Sequence, residues 1–397
     1  MIPKIDSDIG IGLYTTKFTG CGGRIRNTLD DFAVSEILSK KTLASLSDSG
    51  YAVYRLKKSG IDTNHALESI FRKTGARLKA LGLKDAHAVT TQYVCSVAQS
   101  KAAPNYSDSK ISLERIGFAK KPLSAKDMTG NNFVIRVSGA DDSITSFAEQ
   151  DRILNFYGYQ RFGSKRPITH LIGKAIIQKR FADAVNLLLS FTSEHDSKEN
   201  TELRNMMSDP QNYSKALKMT PPQMDLEKTV LQEMITHGDP QKALHKLPLG
   251  IRRLYVDAYQ SYLFNLTLTG AYQYGEELFA PQTGDVCFGK DAKLGKYEMD
   301  DSQKLAIPMV GFSYFKKTRF DYHISKILEQ EQVKSSDFYL KEMQESSSEG
   351  GFRSAAIQCD DFAVQSDVVI FSLQRGSFAT MVLREIIKPQ SPLEAGF

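Results

Sequence analysis

The sequence predicts an α+β fold in which a β-containing domain is interrupted by a mostly helical insertion, and three observations predict it. Strand-like and helix-like patterns alternate through residues 26–157 without any G-x-G-x-x-G turn, which argues against a dinucleotide-binding architecture. Between two polar segments, residues 192–202 and 344–351, the chain is helix-leaning. Beyond Gly351 strand character resumes. A chain of 397 residues is about two and a half typical domain lengths, so two domains, or one domain with a large insertion, are expected.

Asp30 and Asp31 punctuate the first stretch, after which Phe32 and Val34 alternate with smaller residues as in a strand. Residues 51–56 form a second alternating strand. From Thr63, an N-cap residue, Ala66, Leu67, Ile70 and Phe71 recur at helical spacing and predict an amphipathic helix over 63–79, with the chain broken at Gly82. Val89, Thr91, Tyr93, Cys95 and Val97 share one parity, as the inward face of a half-buried strand requires. Ile111 and Leu113, then Phe133, Ile135 and Val137, predict two more strands, with Gly130 and Asn131 turning the chain before the second. Ile144, Phe147, Ala148 and Leu154 return to helical spacing. In the insertion, residues 187–189, 256–264 and 324–328 supply apolar helix faces, while TSEHDSKENTE and QESSSEGG read as exposed loops. Val368 and Ile370 restart a strand, and Ser377 opens a helix through Met381, Leu383 and Ile387.

Hydrophobic residues make up 41% and charged residues 24%, enough to bury a core and to exclude disorder for most of the chain. No apolar run approaches the roughly 20 residues of a membrane helix. The start, MIPKIDSDIG, lacks the basic-then-apolar layout of a signal peptide, so a soluble cytoplasmic protein without a membrane partner is expected. Cys21, Cys95, Cys287 and Cys359 form no C-x-x-C pair and the seven histidines no H-x-x-x-H pair, so neither a metal site nor a disulfide framework is expected.

The net charge of +5 is too small to name a partner, but its distribution is informative. Residues 71–84 carry Arg72, Lys73, Arg77, Lys79 and Lys84 with no acid. Residues 151–180 carry seven basic side chains against Asp151 alone. A third stretch interleaves Lys316, Lys317 and Arg319 with Phe312, Tyr314, Phe315, Phe320 and Tyr322. Phosphates attract such cations and aromatic faces stack on unpaired bases, which makes RNA the natural candidate. A solvated helix face is the better reading of any one stretch; three in one chain bring RNA level with it.

The segment GLKDAHAVT (82–90) differs in kind, with a cation, an acid and an imidazole in a Gly-opened turn between a basic helix and a strand. Loops held this way commonly present reactive groups. An isolated K-D-x-H is more often an exposed turn, but here it belongs to a set: DDFAVSEI (30–37), LGLKDAHAVTTQY (81–93), GNNF (130–133), NFYGYQRFG (155–163) and GSFATMVLREII (376–387). In these motifs and their order the chain resembles the TruD family of tRNA pseudouridine synthases over nearly its whole length, and its archaeal members more than its bacterial ones. One motif is weak; five in register are specific.

The resemblance implies a pseudouridine-synthase-like catalytic domain, with a mixed or antiparallel sheet and flanking helices, built from residues 1–160 and 351–397. Residues 161–350 would be the mostly helical α+β inserted TRUD domain. It further implies conversion of uridine to pseudouridine in tRNA, most often at uridine-13, by base flipping, with no metal, no cofactor and no required protein partner. The family's catalytic aspartate falls on Asp85, as nucleophile at C1′ or as base toward a ribose proton; both routes stay open. The family's Asn-x-Phe motif falls on Asn131, which would hold the aspartate turn or the base, and on Phe133, which would pack on the target uracil. Where the family usually has lysine, this chain has Arg26, which keeps the charge but not the ammonium geometry. Lys84 or Arg26 near Asp85 would favour the ionised carboxylate, an electrostatic role for Arg26. Arg161, in NFYGYQRFG, is a candidate RNA contact, the rings around it being equally suited to packing a hinge. Glu36 either orients a cation or is an exposed strand residue, and His87 either moves a proton at C5 or steadies the turn. Two rival readings are a non-catalytic tRNA-binding protein or chaperone, and a nucleoside hydrolase or glycosidase, which would need a second acid that the turn lacks.

Overall fold

The computed structural model describes the 397 residues apart from Asp85, Ser100, Lys101, Gln150, Asp151 and Asp291, with backbone alone at 148 and 149. The chain forms two units. A sheet unit holds Thr16–Ile153 and Ile357–Phe397; a helical unit holds Met1–Thr15 and Leu154–Ala356.

After α1 (Lys4–Asp8), the chain builds most of the sheet unit: β1 (Phe32–Leu38), α2 (Lys40–Ala44), β2 (Tyr51–Ser59), α3 (Thr63–Thr74), β3 (Leu78–Ala80), β4 (Val89–Ser96), β5 (Tyr106–Ser107), β6 (Ile111–Ala119) and β7 (Met128–Arg136). A short strand, β8 (Ile153–Leu154), leads into the helical unit. There follow α4 (Thr169–Ile177), α5 (Phe181–Ser190), α6 (Lys198–Met206), α7 (Tyr213–Met219), α8 (Asp225–His237), α9 (Pro240–Lys246) and α10 (Leu249–Tyr274). Next come β9 (Val286–Phe288), β10 (Leu294–Lys296), β11 (Lys304–Met309), α11 (Asp321–Glu331) and β12 (Gly351–Ser354). Through β13 (Ala356–Ile357) the chain returns to the sheet unit with β14 (Cys359–Gln365), β15 (Val368–Gln374) and α12 (Ala379–Ile387).

The large sheet runs β14-β15-β7-β1-β4-β2-β6-β5, with β3 also paired to β4. The β1–β4 pair is parallel and the other pairs are antiparallel, so the sheet is mixed and the fold α+β, as expected. One face packs Tyr54, Leu56, Val94 and Leu113 against Ala66 and Ile70 of α3. The other gathers Leu38, Val53, Leu81, Cys95 and Met128. Each fully buried aliphatic side chain of this kind contributes about 2 kcal/mol. In the helical unit α10 is the central element, and β10-β9-β11-β12 form a four-stranded antiparallel sheet. A Cβ at Gly173 of α4 would stand 2.0 Å from the Tyr255 carbonyl oxygen, so glycine admits the close approach to α10. Among the described residues no helix is long and apolar enough to cross a membrane.

Several elements depart from the sequence reading. The helix predicted over 63–79 stops at Thr74, because Gly75 takes a left-handed φ of 73° and the chain re-enters as β3. Its N-cap is Asp62, whose Oδ1 accepts from the amides of Asn64 and His65 at 2.9 and 3.1 Å. Gly130 and Asn131 do not turn the chain; they lie within β7, and a Cβ on Gly130 would stand 2.2 Å from the Leu373 carbonyl oxygen of β15. The glycine is there for strand approach. In β4 the deeply buried parity is Thr90, Gln92 and Val94, opposite to the expected one, because both sheet faces are covered. The 144–154 stretch is a 3-10 segment, Asp142–Glu149, followed by the strand that holds Leu154. Half of the polar 192–202 segment belongs to α6, capped by the Ser197 hydroxyl at the amide of Asn200. Residues 341–346 of the second polar segment's surroundings wind into a 3-10 helix. The last helix opens at Ala379 with Phe378 as N-cap, not at Ser377.

Candidate active site at the turn after Gly82

The order β7-β1-β4 places three neighbouring strands beneath the turn that joins β3 to β4. Glu36 of β1 lies directly across from Asn131 of β7 in antiparallel register, so both side chains stand on the same face. Lys84 reaches down between them. Its Nζ donates to Asn131 Oδ1 at 2.7 Å and lies 3.4 Å from Glu36 Oε1. The other carboxylate oxygen of Glu36 accepts from the Tyr93 amide at 2.8 Å. Burial pushes the Glu36 carboxyl above its ordinary range, opposed by the Lys84 ammonium and the Tyr93 amide. The Glu36 side chain is 0% exposed and that of Lys84 13%, so this is a desolvated ion pair with a neutral third member.

The backbone of the same turn is held by a second set of buried groups. The Thr63 hydroxyl accepts from the Lys84 amide at 2.8 Å and lies 3.0 Å from Gln92 Oε1. Gln92 Nε2 donates to the Gly82 carbonyl at 3.0 Å. Lys58 Nζ donates to the carbonyls of Ile61, at 2.7 Å, and Lys84, at 3.2 Å. Lys58, Thr63 and Gln92 are each at most 1% exposed. Asp62 rather than Thr63 caps α3, which leaves the Thr63 hydroxyl for the turn.

Beside this polar set runs an aromatic one. Phe133 is 7% exposed, stacks on Phe371 of β15 at 5.4 Å and meets Phe32 of β1 edge-on at 6.4 Å. The Arg26 guanidinium lies over the Phe32 ring at 4.3 Å and donates to the Gly396 carbonyl at 2.9 Å. Arg26 itself holds a left-handed φ of 61°, which costs an L residue roughly 1–2 kcal/mol and is held here by those two contacts.

Of the predicted site residues, Lys84 and Asn131 meet directly, while Phe133 and Arg26 share the ring cluster through Phe32. Asp85 lies outside the described residues. Glu36 is a buried member of the site rather than an exposed strand residue, and His87 is exposed. Arg161 belongs to the helical unit, its guanidinium 5.5 Å from the Tyr157 ring centroid. Sequence reasoning missed Lys58, Gln92 and the role of Thr63. The signal was present for one of them, since Ala52, Tyr54, Leu56 and Lys58 share one inward parity in β2.

The basic stretches separate once folded. In residues 151–180, Arg166 pairs with Glu227 at 3.3 Å, Lys174 with Glu331 at 2.8 Å, Lys179 with Glu342 at 2.9 Å and Arg180 with Asp183 at 3.1 Å. Arg319 binds Asp285 at 3.0 Å and also Glu276. Lys316 and Lys317 stay exposed, with Phe315 63% exposed beneath Lys317.

The whole chain aligns with the crystal structure of the TruD protein of Methanosarcina mazei with a TM-score of 0.78 and 26% identity, over 99% of each chain. The mixed sheet with its flanking helices is therefore that of a pseudouridine synthase. The family model described as tRNA pseudouridine synthase D (TruD) matches residues 8–386, and the chain belongs to that family. Among relatives named tRNA pseudouridine synthase D, that of Methanosarcina acetivorans is 30% identical over 98% of this chain and 97% of its own length. Those of Methanococcoides burtonii and Pyrobaculum islandicum are each 28% identical over at least 98% of both chains.

Proposed function

We propose that this protein isomerises uridine to pseudouridine in tRNA, with uridine-13 as the target, and that Asp85 carries the reaction. The observation that carries the reading is the turn ahead of Asp85: the buried Lys58, Thr63 and Gln92 tie down its backbone, and the half-buried Lys84 engages the sheet beneath. Such preorganisation suits a side chain that must meet one atom of a flipped nucleotide. The bond from N1 to C1′ breaks, the uracil turns, and C5 joins C1′. N1 gains a proton and C5 releases one, so the change is an isomerisation without net loss. The Asp85 carboxylate serves as nucleophile at C1′ or as base toward the ribose, and stabilises positive charge on the sugar in either route.

Lys84 and Asn131 form the polar floor of the site, and Phe133, backed by Phe371 and Phe32, is the apolar surface against which the detached base turns. Arg26 adds positive charge beside that ring cluster. The sheet unit is then the catalytic domain and the helical unit the inserted domain, with Arg161 and the exposed Lys316 and Lys317 as RNA contacts.

The test is tritium release from tRNA labelled at uracil C5. Wild type releases tritium and yields pseudouridine, whereas Asp85→Asn loses at least about a thousandfold in rate while tRNA affinity stays within a few-fold. A wild type that binds tRNA but releases nothing would establish the chaperone reading instead, and free uracil among the products would establish hydrolysis.

A further inference from the structure

Three features of the anchored turn point to a particular division of labour among the side chains that hold it. The first is Lys58, an ammonium group brought into a residue that is 1% exposed. Burying a lysine in a strand position flanked by Tyr54 and Leu56 is unfavourable unless its charge is used, and an apolar side chain of the same length would pack there at less cost. The second is where two of its protons go: to the carbonyls of Ile61 and Lys84. The Lys84 carbonyl belongs to the peptide unit that joins Lys84 to Asp85, and that unit is planar, so fixing its oxygen fixes the unit. The third is the state of Lys84. Its ammonium faces Glu36 and Asn131, on the sheet, so its charge is matched before the turn can draw on it.

We propose that Lys58, supported by Thr63 and Gln92, is a positioning residue of the isomerisation: its buried ammonium sets the peptide unit that leads into Asp85 and supplies the turn with the positive charge that Lys84 gives to Glu36. Thr63 holds both peptide units that flank Lys84: its hydroxyl accepts from the Lys84 amide, in the preceding unit, and lies 3.2 Å from the Lys84 carbonyl, in the unit that leads into Asp85. Gln92 holds the turn two residues earlier, at Gly82. Three side chains from β2, α3 and β4 thus converge on two residues of the turn, Gly82 and Lys84, and their common product is the direction in which the chain leaves Lys84.

The assignment rests on the reaction proposed above, and the experiment separates the two. Tritium release from C5-labelled tRNA is measured in single and multiple turnover for wild type, Lys58→Met, Lys58→Arg and Thr63→Val, with thermal melts to establish the folded fraction. Displacing a reacting group by about 1 Å costs on the order of a hundredfold in rate. Lys58→Met should therefore lose about a hundredfold in kcat per folded molecule, with KM for tRNA within threefold, and Lys58→Arg should recover at least about tenfold of that loss. Thr63→Val leaves the buried charge in place and should lose about tenfold in kcat with KM unchanged, so the assignment is decided even if Lys58→Met does not fold. Folded variants with kcat within threefold of wild type, or a loss confined to KM, would overturn this assignment alone. A wild type without tritium release would overturn the underlying reaction.

Discussion

Each unit of the molecule buries a cluster of charge, and the two clusters do different things with it. In the helical unit, Arg204 sits 3.1 Å from Glu227 and 3.6 Å from Asp196, and Arg166 pairs with the same Glu227. Arg166 also donates to the carbonyls of Leu187, Leu188 and Phe191, at the C-terminal end of α5. Burial pushes the Arg166 guanidinium down to about 10, helped by the neighbouring Arg204 charge. These cations finish helix ends and clip α5, α6 and α8 together; the hydrogen bonds are spread over several elements. In the sheet unit the donors and acceptors converge instead on residues 82–84. The same desolvation is accepted in both places, but only in the sheet unit is it spent on the aim of a single turn.

The comparison is broken most severely at Lys84. Lys84→Met leaves the Glu36 carboxylate buried without its cation, and should cost roughly 3–5 kcal/mol of unfolding free energy in denaturant titrations together with about a hundredfold in tritium release. In the double variant Glu36→Leu with Lys84→Met, apolar packing should restore most of the stability while turnover stays low. Recovery of both would mean that the ion pair is structural, like its counterpart in the helical unit.

Arg204→Met should lose a similar 3 kcal/mol or so, since it leaves Glu227 underpartnered, yet turnover per folded molecule should remain within twofold of wild type. A kinetic loss beyond the folded fraction would erase the contrast between the clusters.

His170 sharpens the contrast by titration. It is 2% exposed, against Phe162 and Tyr262, and burial lowers its pKa from 6.5 to about 4. The unfolded chain therefore binds the proton more tightly. The stability contributed by neutral His170 is complete above pH 6.5 and drains away as pH falls toward 4, by roughly 2–3 kcal/mol. Replacing it, as in His170→Gln, should flatten that part of the wild-type stability curve measured by urea titration at each pH.

The smallest effect is expected at the N-cap. Asp62→Ala should cost about 1 kcal/mol in melting experiments and leave kcat unchanged, because the adjacent Thr63, not the cap, holds the turn.

Much of the sheet unit could be read in advance from alternation, which placed β1, β2, β6 and β15 within a few residues. The motif set also named Lys84 and Asn131 as site residues, though not that the two meet. What alternation could not show is the buried polar face of β4. Thr90 and Gln92 look like solvent-side residues in a strand whose apolar members share the other parity, and only the covering of both faces reveals them as interior. The basic stretches misled for a related reason. Their acids, Glu227, Glu331, Glu342 and Asp285, lie tens to more than a hundred residues away, so local charge sums overstate what faces solvent. Gly130 is the subtler case: its rationale is a β15 carbonyl supplied by the far end of the chain.

That distant origin of β15 has a further bearing on how the protein is made. β7, which bears Asn131 and Phe133, has β1 on one edge, and its other edge is completed by Val368–Gln374. On the ribosome the entire helical unit is synthesised first, at roughly 5–20 residues per second, while β7 presents unpaired amides and carbonyls to its surroundings. A message truncated upstream of Val368 would thus yield a polypeptide that is both inert and prone to sticking to its own kind.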